Sequence, residues 1–235
     1  MIALSIVSHR QSALAATLLR DIAALKRDDL RVLLTLNVAE DAPGDAGLPV
    51  ELIRNSVPKG FGANHNQAFR HAAEASHFCV LNPDLRLPAD PFPALLRELQ
   101  APQAGLAAPR VMSPSGEVEN SARRAPTFAR LAAKALGLAP ALDYPDSAEP
   151  ASPDCVAGMF MLATRKAFED VGGFDERYFL YYEDFDLCRR LRQRGYDIRL
   201  APAARVVHDA RRTSHRNPRY LAWHLRSILR YLTSR

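Results

Sequence analysis

Residues 77–99 read HFCVLNPDLRLPADPFPALLREL. The apolar run that opens this stretch predicts a buried strand over 77–81, and Asp90 followed by Pro91 is typical of the start of a helix, which we extend to Leu99. The turn Asn82-Pro83-Asp84 comes directly after the strand. Ligands of open α/β sheets bind beyond the carboxyl ends of the strands, so Asp84 stands where a ligand site is expected. The same turn is also common with a purely structural role.

The residues before this stretch repeat the alternation of strand and helix. Apolar runs predict strands over 3–7, 32–36 and 50–53, and apolar residues at helical spacing predict helices over 11–27 and 63–75. Strands that alternate with helices of this length indicate a parallel sheet with helices on both faces. We therefore predict an α/β fold with a mostly parallel central sheet, and the first hundred residues are typical of a nucleotide-binding half.

The second half of the chain shows a less regular pattern. The predicted elements are a turn at 113–116, a loop over 139–153, strands over 156–163 and at 206–207, and helices over 127–138, from 165 to the glycine pair 172–173, over 183–194 and over 218–232. Gly195 is expected to cap the helix that ends at 194. No linker long enough to separate two domains is visible.

Composition excludes several classes of protein. With 48% hydrophobic and 24% charged residues among 235, the chain is typical of a soluble globular protein and not of a disordered one. No apolar run approaches the roughly 18 residues of a membrane span, and the opening apolar stretch is too short for a signal peptide. The three cysteines are odd in number and widely separated, which fits neither a disulfide framework nor a zinc site and favours a cytoplasmic location.

Positive charge is concentrated at the C-terminal end. Thirteen arginines and two aspartates give residues 187–235 a net charge of +11, so the remainder of the chain carries −6 of the overall +5. A basic segment on an acidic body indicates a polyanionic partner, which could be nucleic acid, anionic lipid or a phosphorylated small molecule. A solvated basic face is the alternative.

Two further stretches carry candidate functional residues. The cluster Glu183-Asp184-Phe185-Asp186 opens a predicted helix directly after five apolar or aromatic residues. Acidic residues complement the dipole at a helix start, but burial beside like charges also raises a carboxylate pKa and suits a general base. The turn at 59–64, KGFGAN, leads into a helix and could bring backbone N–H groups to an anion, although it matches neither a P-loop nor a dinucleotide fingerprint.

The order of these stretches resembles the family 2 inverting glycosyltransferases, in particular their bacterial rhamnosyltransferase-like branch. The resemblance extends over residues 3–214 and is most specific over 172–187. The matching segments are SIVSH at 5–9, residues 55–66 with their KGFGA core, NPD at 82–84, GMFML at 158–162, GGFDE at 172–176, YYEDFDL at 181–187 and VVH at 206–208.

The resemblance implies a GT-A fold, with one domain over residues 1–215 that binds a nucleoside-diphosphate sugar. Asp84 would hold a divalent cation, Mg²⁺ or Mn²⁺, with His208 as a further ligand, and Asn82 replaces the first aspartate of the family's Asp-X-Asp motif. Asp184 would be the catalytic base, with Glu183 as its neighbour. The residues implied in donor binding are Ser8, His9, Asn37, Glu40, Gly60, Asn66, Asn82, Asp84, Arg211 and Arg212.

The implied reaction moves a sugar, with rhamnose suggested by the branch, from a nucleoside diphosphate to a hydroxyl of a glycan or lipid-linked acceptor, as in the synthesis of cell-envelope polysaccharides. Three alternatives stay open: a sugar nucleotidyltransferase, a glycosyltransferase-like protein that binds nucleotide sugars without activity, and a basic nucleic-acid-binding module. No nucleic-acid-binding signature accompanies the basic charge, so nucleic acid is not the expected partner.

The last twenty residues, 216–235, are predicted to form a basic amphipathic helix. Its apolar positions recur at helical spacing, and arginine and aromatic residues flank them. This composition suits attachment to an anionic membrane at the inner face of the cytoplasmic membrane, and the alternative is that the stripe packs on the domain. The apolar positions are Leu221, Leu225, Ile228, Leu229 and Leu232.

Overall fold

The computed structural model describes residues 1–44, 46–209 and 218–234. The strands in these ranges are β1 (Ile2–Ser8), β2 (Leu30–Leu36), β3 (Val50–Arg54), β4 (His77–Leu81), β5 (Leu85–Arg86), β6 (Ala104–Met112), β7 (Ala122–Arg123), β8 (Cys155–Val156), β9 (Phe160–Thr164) and β10 (Asp197–His208). The helices are α1 (Ser12–Ala24), α2 (Phe61–His71), α3 (Phe92–Glu98), α4 (Phe128–Ala135), α5 (Arg165–Asp170), α6 (Glu183–Gln193) and α7 (Pro218–Thr233).

A central sheet of eight strands has the order β3-β2-β1-β4-β9-β6-β10-β5. Strands β1 to β4 run parallel to one another, and β10 runs parallel to β6. Strand β9 is antiparallel to β4 and β6, and β5 is antiparallel to β10. Six of the eight strands therefore share one direction, which confirms the mostly parallel sheet. Strands β7 and β8 form a separate antiparallel pair.

Both faces of the central sheet are covered by helices. Side chains on one face, including Ile2, Leu4 and Ile6 of β1, pack in a core with α1 and α3. Those on the other face, including Ala3 of β1, pack in a second core with α2, α5 and α6. The alternation arises because successive side chains of a strand point to opposite faces, and it confirms the predicted helices on both faces.

A buried polar contact fixes α2 to β1. The hydroxyl oxygen of Ser5 lies 2.7 Å from Nδ1 of His65, and both residues are fully buried. Burial lowers the pKa of His65 to about 3, so the ring is neutral at ordinary pH. The contact holds the first turns of α2, and the glycine-bearing turn before them, against the sheet.

The predicted strand over 156–163 is wrong as a single element. Strand β8 ends at Val156, and β9, in the other sheet, begins at Phe160. The run breaks because each residue between them bonds through its backbone to a different segment. These bonds join Ala157 N to Ser121 O (2.7 Å), Gly158 N to Asp184 Oδ2 (3.2 Å), and Asn82 N to Met159 O (2.8 Å).

The strand predicted at 206–207 is much longer than the sequence indicated. Strand β10 runs over twelve residues and pairs with β6 along most of its length, with a register shift between Ala201 and Arg205. The shift interrupts the alternation of apolar and polar residues, so only the last apolar pair was recognisable as a strand. Its last residue, His208, lies opposite Leu85 of β5.

Helix α7 packs against the domain with one face and leaves a row of leucines exposed on the other. Tyr231 is buried with Tyr178 and Tyr182, and the Ser227 hydroxyl donates to the backbone oxygen of Leu180 at 2.9 Å. Of the five apolar positions predicted as one stripe, Ile228 and Leu232 pack on this cluster, whereas Leu221, Leu225 and Leu229 are 52–61% exposed. In the described part of the chain, no helix is both long and apolar enough to cross a bilayer.

Candidate active site

Asp84, Glu119 and His208 form a polar cluster at the carboxyl ends of β4 and β10. His208 Nε2 lies 3.4 Å from a carboxylate oxygen of Asp84, and its Nδ1 lies 2.9 Å from one of Glu119. All three side chains are largely buried, with 13–23% of their surface exposed. The sequence predicted Asp84 and His208 as partners, but not Glu119, because it lies in a segment without a recognisable motif.

His208 is positively charged in this arrangement. Burial lowers the pKa of its imidazole, but hydrogen bonds and charge from Asp84 and Glu119 more than offset this effect and raise the pKa to about 9. The imidazolium thus stands between two carboxylates, and replacing its proton with a metal ion would keep a positive charge in the same place.

The cluster fits a divalent cation in two respects. Asp84 Oδ1 is buried and has no hydrogen-bond partner among the described residues, so it offers a free oxygen ligand. A metal-binding histidine usually has its other ring nitrogen bonded to a carboxylate, as Glu119 is here to His208. Across the described ranges, no group of three or more His, Cys, Asp or Glu side chains is arranged to hold a metal ion.

Asp184 is fixed at the start of α6 by two backbone donors. Its Oδ1 accepts a hydrogen bond from the N–H of Phe185 at 2.8 Å, and its Oδ2 accepts one from the N–H of Gly158 at 3.2 Å. The carboxylate is half-buried. Two N–H donors hold it in one orientation.

Glu183, one residue earlier, has a different environment. It is 6% exposed, and its Oε2 is buried without a hydrogen-bond partner in the described structure. Burial, and then the charge of Asp184, raise the pKa of Glu183 well above its usual value. The raised pKa that the sequence predicted for this acidic cluster therefore falls on Glu183, and Asp184 is distinguished from it by the two backbone N–H groups that orient its carboxylate.

The turn before α6 has an unusual backbone. Tyr181 and Tyr182 are consecutive residues with positive φ, 70° and 67°, which side chains other than glycine rarely adopt. The ring of Tyr182 packs against Phe185 and Tyr231, with ring centroids 5.4 and 5.8 Å away. This packing holds the turn, and the turn directs Glu183 inward.

The two candidate carboxylates, Asp84 and Asp184, lie at the same end of the sheet. Gly158 bonds to the side chain of Asp184, and the next residue, Met159, bonds to the backbone of Asn82. Two adjacent residues thus link the base candidate to the turn that carries Asp84.

The residues predicted for the donor at the ends of β1 and β2 also lie together. Asn37 is the centre of this group: its side chain bonds to the backbone of Lys59 in both directions, at 2.8 and 3.0 Å, and lies 3.3 Å from His9 Nδ1. Ser8 Oγ accepts from the N–H of Gln11 at 3.2 Å. Glu40 accepts from the N–H of Arg10 with one oxygen, and its other oxygen is buried without a described partner.

Gly60 and Asn66 contact the segment that precedes α6. A Cβ on Gly60 would lie 2.6 Å from the backbone oxygen of Phe179, so only glycine allows this approach. The Asn66 side chain bonds to the backbone of Phe174 at 2.8 and 2.9 Å and to Glu176 at 3.0 Å. Both residues hold the segment that leads into α6. Their predicted contact with the donor stays a prediction, and Arg211 and Arg212 lie outside the described residues.

The sequence of the chain matches a known protein family. The model of the glycosyl transferase family group 2 matches residues 77–231, which include Asp84, Asp184 and His208. The chain belongs to this family. The resemblance seen in the sequence is confirmed, and the protein is a glycosyltransferase.

Two curated relatives of this glycosyltransferase are rhamnosyltransferases. The chain is 30% identical over 230 residues to the N-acetylglucosaminyl-diphospho-decaprenol L-rhamnosyltransferase of Mycobacterium tuberculosis, a match that covers 87% of the chain and 75% of the relative. It is 42% identical over 83 residues to Rhamnosyltransferase WbbL of Escherichia coli K12, which covers 34% of the chain and 30% of the relative.

Solved structures show the fold of the glycosyltransferase. The chain superposes on GalNAc-T7 with UDP, GalNAc and Mn²⁺ with a TM-score of 0.70, 14% identity and 99% of the chain covered, and it spans 47% of that structure. It superposes on a mannosyltransferase from Pyrobaculum calidifontis in complex with GDP-Man and Mn²⁺ with a TM-score of 0.65 and 18% identity, covering 97% of the chain and 64% of that structure. These superpositions confirm the expected GT-A fold.

Proposed function

We propose that the chain transfers a sugar, with rhamnose favoured, from a nucleoside diphosphate to a hydroxyl of a lipid-diphosphate-linked glycan, with inversion at the anomeric carbon. The relative that matches most of the chain is named for rhamnosyl transfer to N-acetylglucosaminyl-diphospho-decaprenol, which supports both substrates. The observation that carries the proposal is the position of Asp184, oriented by two N–H donors beside the turn that holds Asp84.

Asp184 is the proposed general base. Its carboxylate takes the proton of the acceptor hydroxyl while the hydroxyl oxygen forms a bond to the anomeric carbon, and the bond between that carbon and the donor diphosphate breaks. Positioned base catalysis of this kind contributes on the order of 10²–10⁴-fold. Burial, and then the charge of Asp184, raise the pKa of Glu183, so the two adjacent carboxyls stand in different environments.

The diphosphate leaves from the opposite side, at the Asp84 cluster. Asp84 and His208 would hold the divalent cation, and Glu119 would orient the imidazole. A bound Mg²⁺ or Mn²⁺ would supply positive charge that stabilises the departing diphosphate. We propose that Arg211 and Arg212 add to that charge, since they follow His208 closely in the sequence.

The nucleoside would bind at the ends of β1 and β2. Main-chain groups of Ser8 and His9, the free oxygen of Glu40 and the ring of His9 are the groups that we propose for base and ribose. Asn37 is fully occupied in joining β2 to the turn at Lys59, so its proposed role is to shape this pocket.

We expect a nucleoside diphosphate with Mn²⁺ to stabilise the protein against heat. A ligand at 100 times its Kd adds about 2.7 kcal/mol to the free energy of unfolding, which corresponds to a rise in Tm of about 5–10 °C for a chain of this size. A thermal-shift screen of UDP, GDP and dTDP, with nucleoside monophosphates as controls, measures this, and transfer from a labelled donor follows for the best nucleotide. A folded protein that no nucleoside diphosphate stabilises would contradict the proposal, and binding without transfer would favour the inactive alternative.

We also propose that α7 attaches the enzyme peripherally to the cytoplasmic face of the membrane, with residues 216–235 acting as a docking segment of the domain over 1–215. Leu221, Leu225 and Leu229 recur every four residues and so share one exposed face of the helix, and Arg226 lies beside them. Exposed leucines flanked by arginine suit the interface of an anionic bilayer.

Replacing Leu221, Leu225 and Leu229 with serine should reduce binding to anionic vesicles at least about fivefold, because about three buried leucines supply most of the apolar contact. Co-sedimentation with phosphatidylglycerol vesicles measures the bound fraction. Point substitutions are preferable to truncation, which would remove the packing of Tyr231. Serine at the exposed Leu52 and Val57, which lie on other elements, is the matched control. Equal sedimentation of the triple variant and the wild type would rule out docking through this face.

A further inference from the structure

Arg123 on β7 lies next to the candidate base and has no assigned role. It stands opposite Cys155 of β8 in the two-stranded sheet, and its guanidinium carbon is 5.9 Å from the ring centroid of Phe185, the residue that follows Asp184. The contact places a permanent positive charge beside the start of α6.

This charge has no counter-ion within the described structure. By contrast, the half-buried Arg189 and Arg190 both bond to Asp186 at 2.7 Å. Arg123 donates from Nε to the backbone oxygen of Asn120 at 2.8 Å, and no described carboxylate lies within 4.0 Å of it. Its two terminal nitrogens are therefore available to an anion from outside the chain, and a guanidinium fork binds a phosphate through two parallel hydrogen bonds.

The order of contacts along residues 155–159 relates Arg123 to the two candidate carboxylates. Cys155 pairs with Arg123, Gly158 bonds to Asp184, and Met159 bonds to Asn82 in the turn that carries Asp84. Along this segment the contact with Asp184 therefore falls between the contact with Arg123 and the contact with the turn that carries Asp84. In an inverting displacement the acceptor and the departing diphosphate lie on opposite sides of the anomeric carbon. Since the donor diphosphate belongs at the Asp84 cluster, Arg123 lies on the acceptor side of the base.

We propose that Arg123 determines acceptor specificity by binding the diphosphate that links the acceptor glycan to its lipid. This inference rests on the proposed function, and it assigns to one side chain the choice of a lipid-diphosphate-linked acceptor over a neutral one. The neighbouring Arg124 differs from it: Arg124 is exposed, and its guanidinium lies over the ring of Tyr144.

The test compares two acceptors that carry the same sugar, N-acetylglucosaminyl diphosphate on a short isoprenoid chain and the N-acetylglucosaminide of the same chain without the diphosphate. In Arg123→Gln the KM for the diphosphate-linked acceptor should rise about 10–100-fold, and the KM for the neutral one should stay within about twofold. Arg123→Lys should fall between wild type and Arg123→Gln, because it keeps the charge and loses the fork. Arg124→Gln is the matched control and should change neither KM.

Other outcomes overturn the proposal. An equal rise of both KM values indicates contact with the sugar or a structural role, a rise confined to the donor KM assigns Arg123 to the donor diphosphate, and a fall in kcat alone indicates that it positions Asp184. A wild-type chain that transfers no sugar to either acceptor contradicts the proposed function instead. In that case calorimetric titration of the diphosphate-linked lipid into wild type and Arg123→Gln still decides the role of Arg123, because binding needs no turnover.

Discussion

Replacing Asp184 with asparagine should lower kcat for sugar transfer by about 10³-fold while the affinity for the nucleoside diphosphate changes by no more than about twofold. Asparagine keeps the shape of the side chain and an oxygen that can accept from Gly158 or Phe185, so the start of α6 stays in place. It cannot take a proton from the acceptor. Steady-state transfer rates and a donor titration together separate loss of the base from loss of the donor site.

Glu183→Gln is the comparison for this variant. The carboxyl of Glu183 is buried and its pKa is raised well above its usual value, and glutamine keeps its size while removing the ionisable group. We expect a loss of kcat of at most about tenfold, which makes the two adjacent carboxyls distinguishable. An Asp184→Asn enzyme that transfers sugar at nearly the wild-type rate would show that the base is another residue.

Replacing Asp84 with asparagine should abolish the stabilisation that Mn²⁺ and a nucleoside diphosphate produce together, and lower kcat/KM by about 10²–10³-fold. The substitution removes the negative charge of the Asp84 carboxylate, whose Oδ1 has no hydrogen-bond partner in the described structure. His208 then remains as the other candidate ligand. Tm measured with and without Mn²⁺, and kcat/KM as a function of the Mn²⁺ concentration, provide the two readouts.

Glu119 and Asp21 supply graded comparisons. Glu119→Gln should weaken the apparent Mn²⁺ affinity by about 10–100-fold and retain most of kcat at saturating Mn²⁺, because Glu119 acts through His208. Asp21 bonds to Arg86 and to the backbone of Leu87, and none of its bonds in the described structure reaches the cluster, so Asp21→Asn should leave the Mn²⁺ dependence unchanged. If Asp84→Asn keeps the Mn²⁺ dependence of the wild type, the cation binds elsewhere.

Local sequence was sufficient for the first four strands of the fold. The strands before residue 82 were predicted to within two residues, and β4 was predicted with its observed bounds, because each is an apolar run bounded by turns. The order of the strands in the sheet could not be predicted in this way, because it depends on contacts between residues far apart in the sequence. Nothing in the run over 156–163 indicates that its middle residues bond to three separate segments and divide it between two sheets.

The candidate site shows the same limit. The motifs located Asp84, Asp184 and His208, but Glu119 and Arg123 lie in a segment of ordinary polar composition and became visible only through their neighbours. The raised pKa within the acidic cluster was expected from its composition. Its assignment to Glu183 depends on which of the two carboxyls is buried, and that follows from the fold around the left-handed turn at Tyr181 and Tyr182 rather than from composition.

That left-handed pair also limits how the loop can change by mutation. Each non-glycine residue in this conformation costs about 1–3 kcal/mol, which the aromatic packing of Tyr182 must offset. Glycine at position 182 would remove the backbone strain but would also remove the ring contacts. Valine or isoleucine would keep the strain and lose the ring contacts as well. We expect a replacement of either tyrosine to be tolerated only when a second substitution restores the lost packing. A library designed to alter the acceptor range of this enzyme should therefore vary other positions and keep the tyrosine pair.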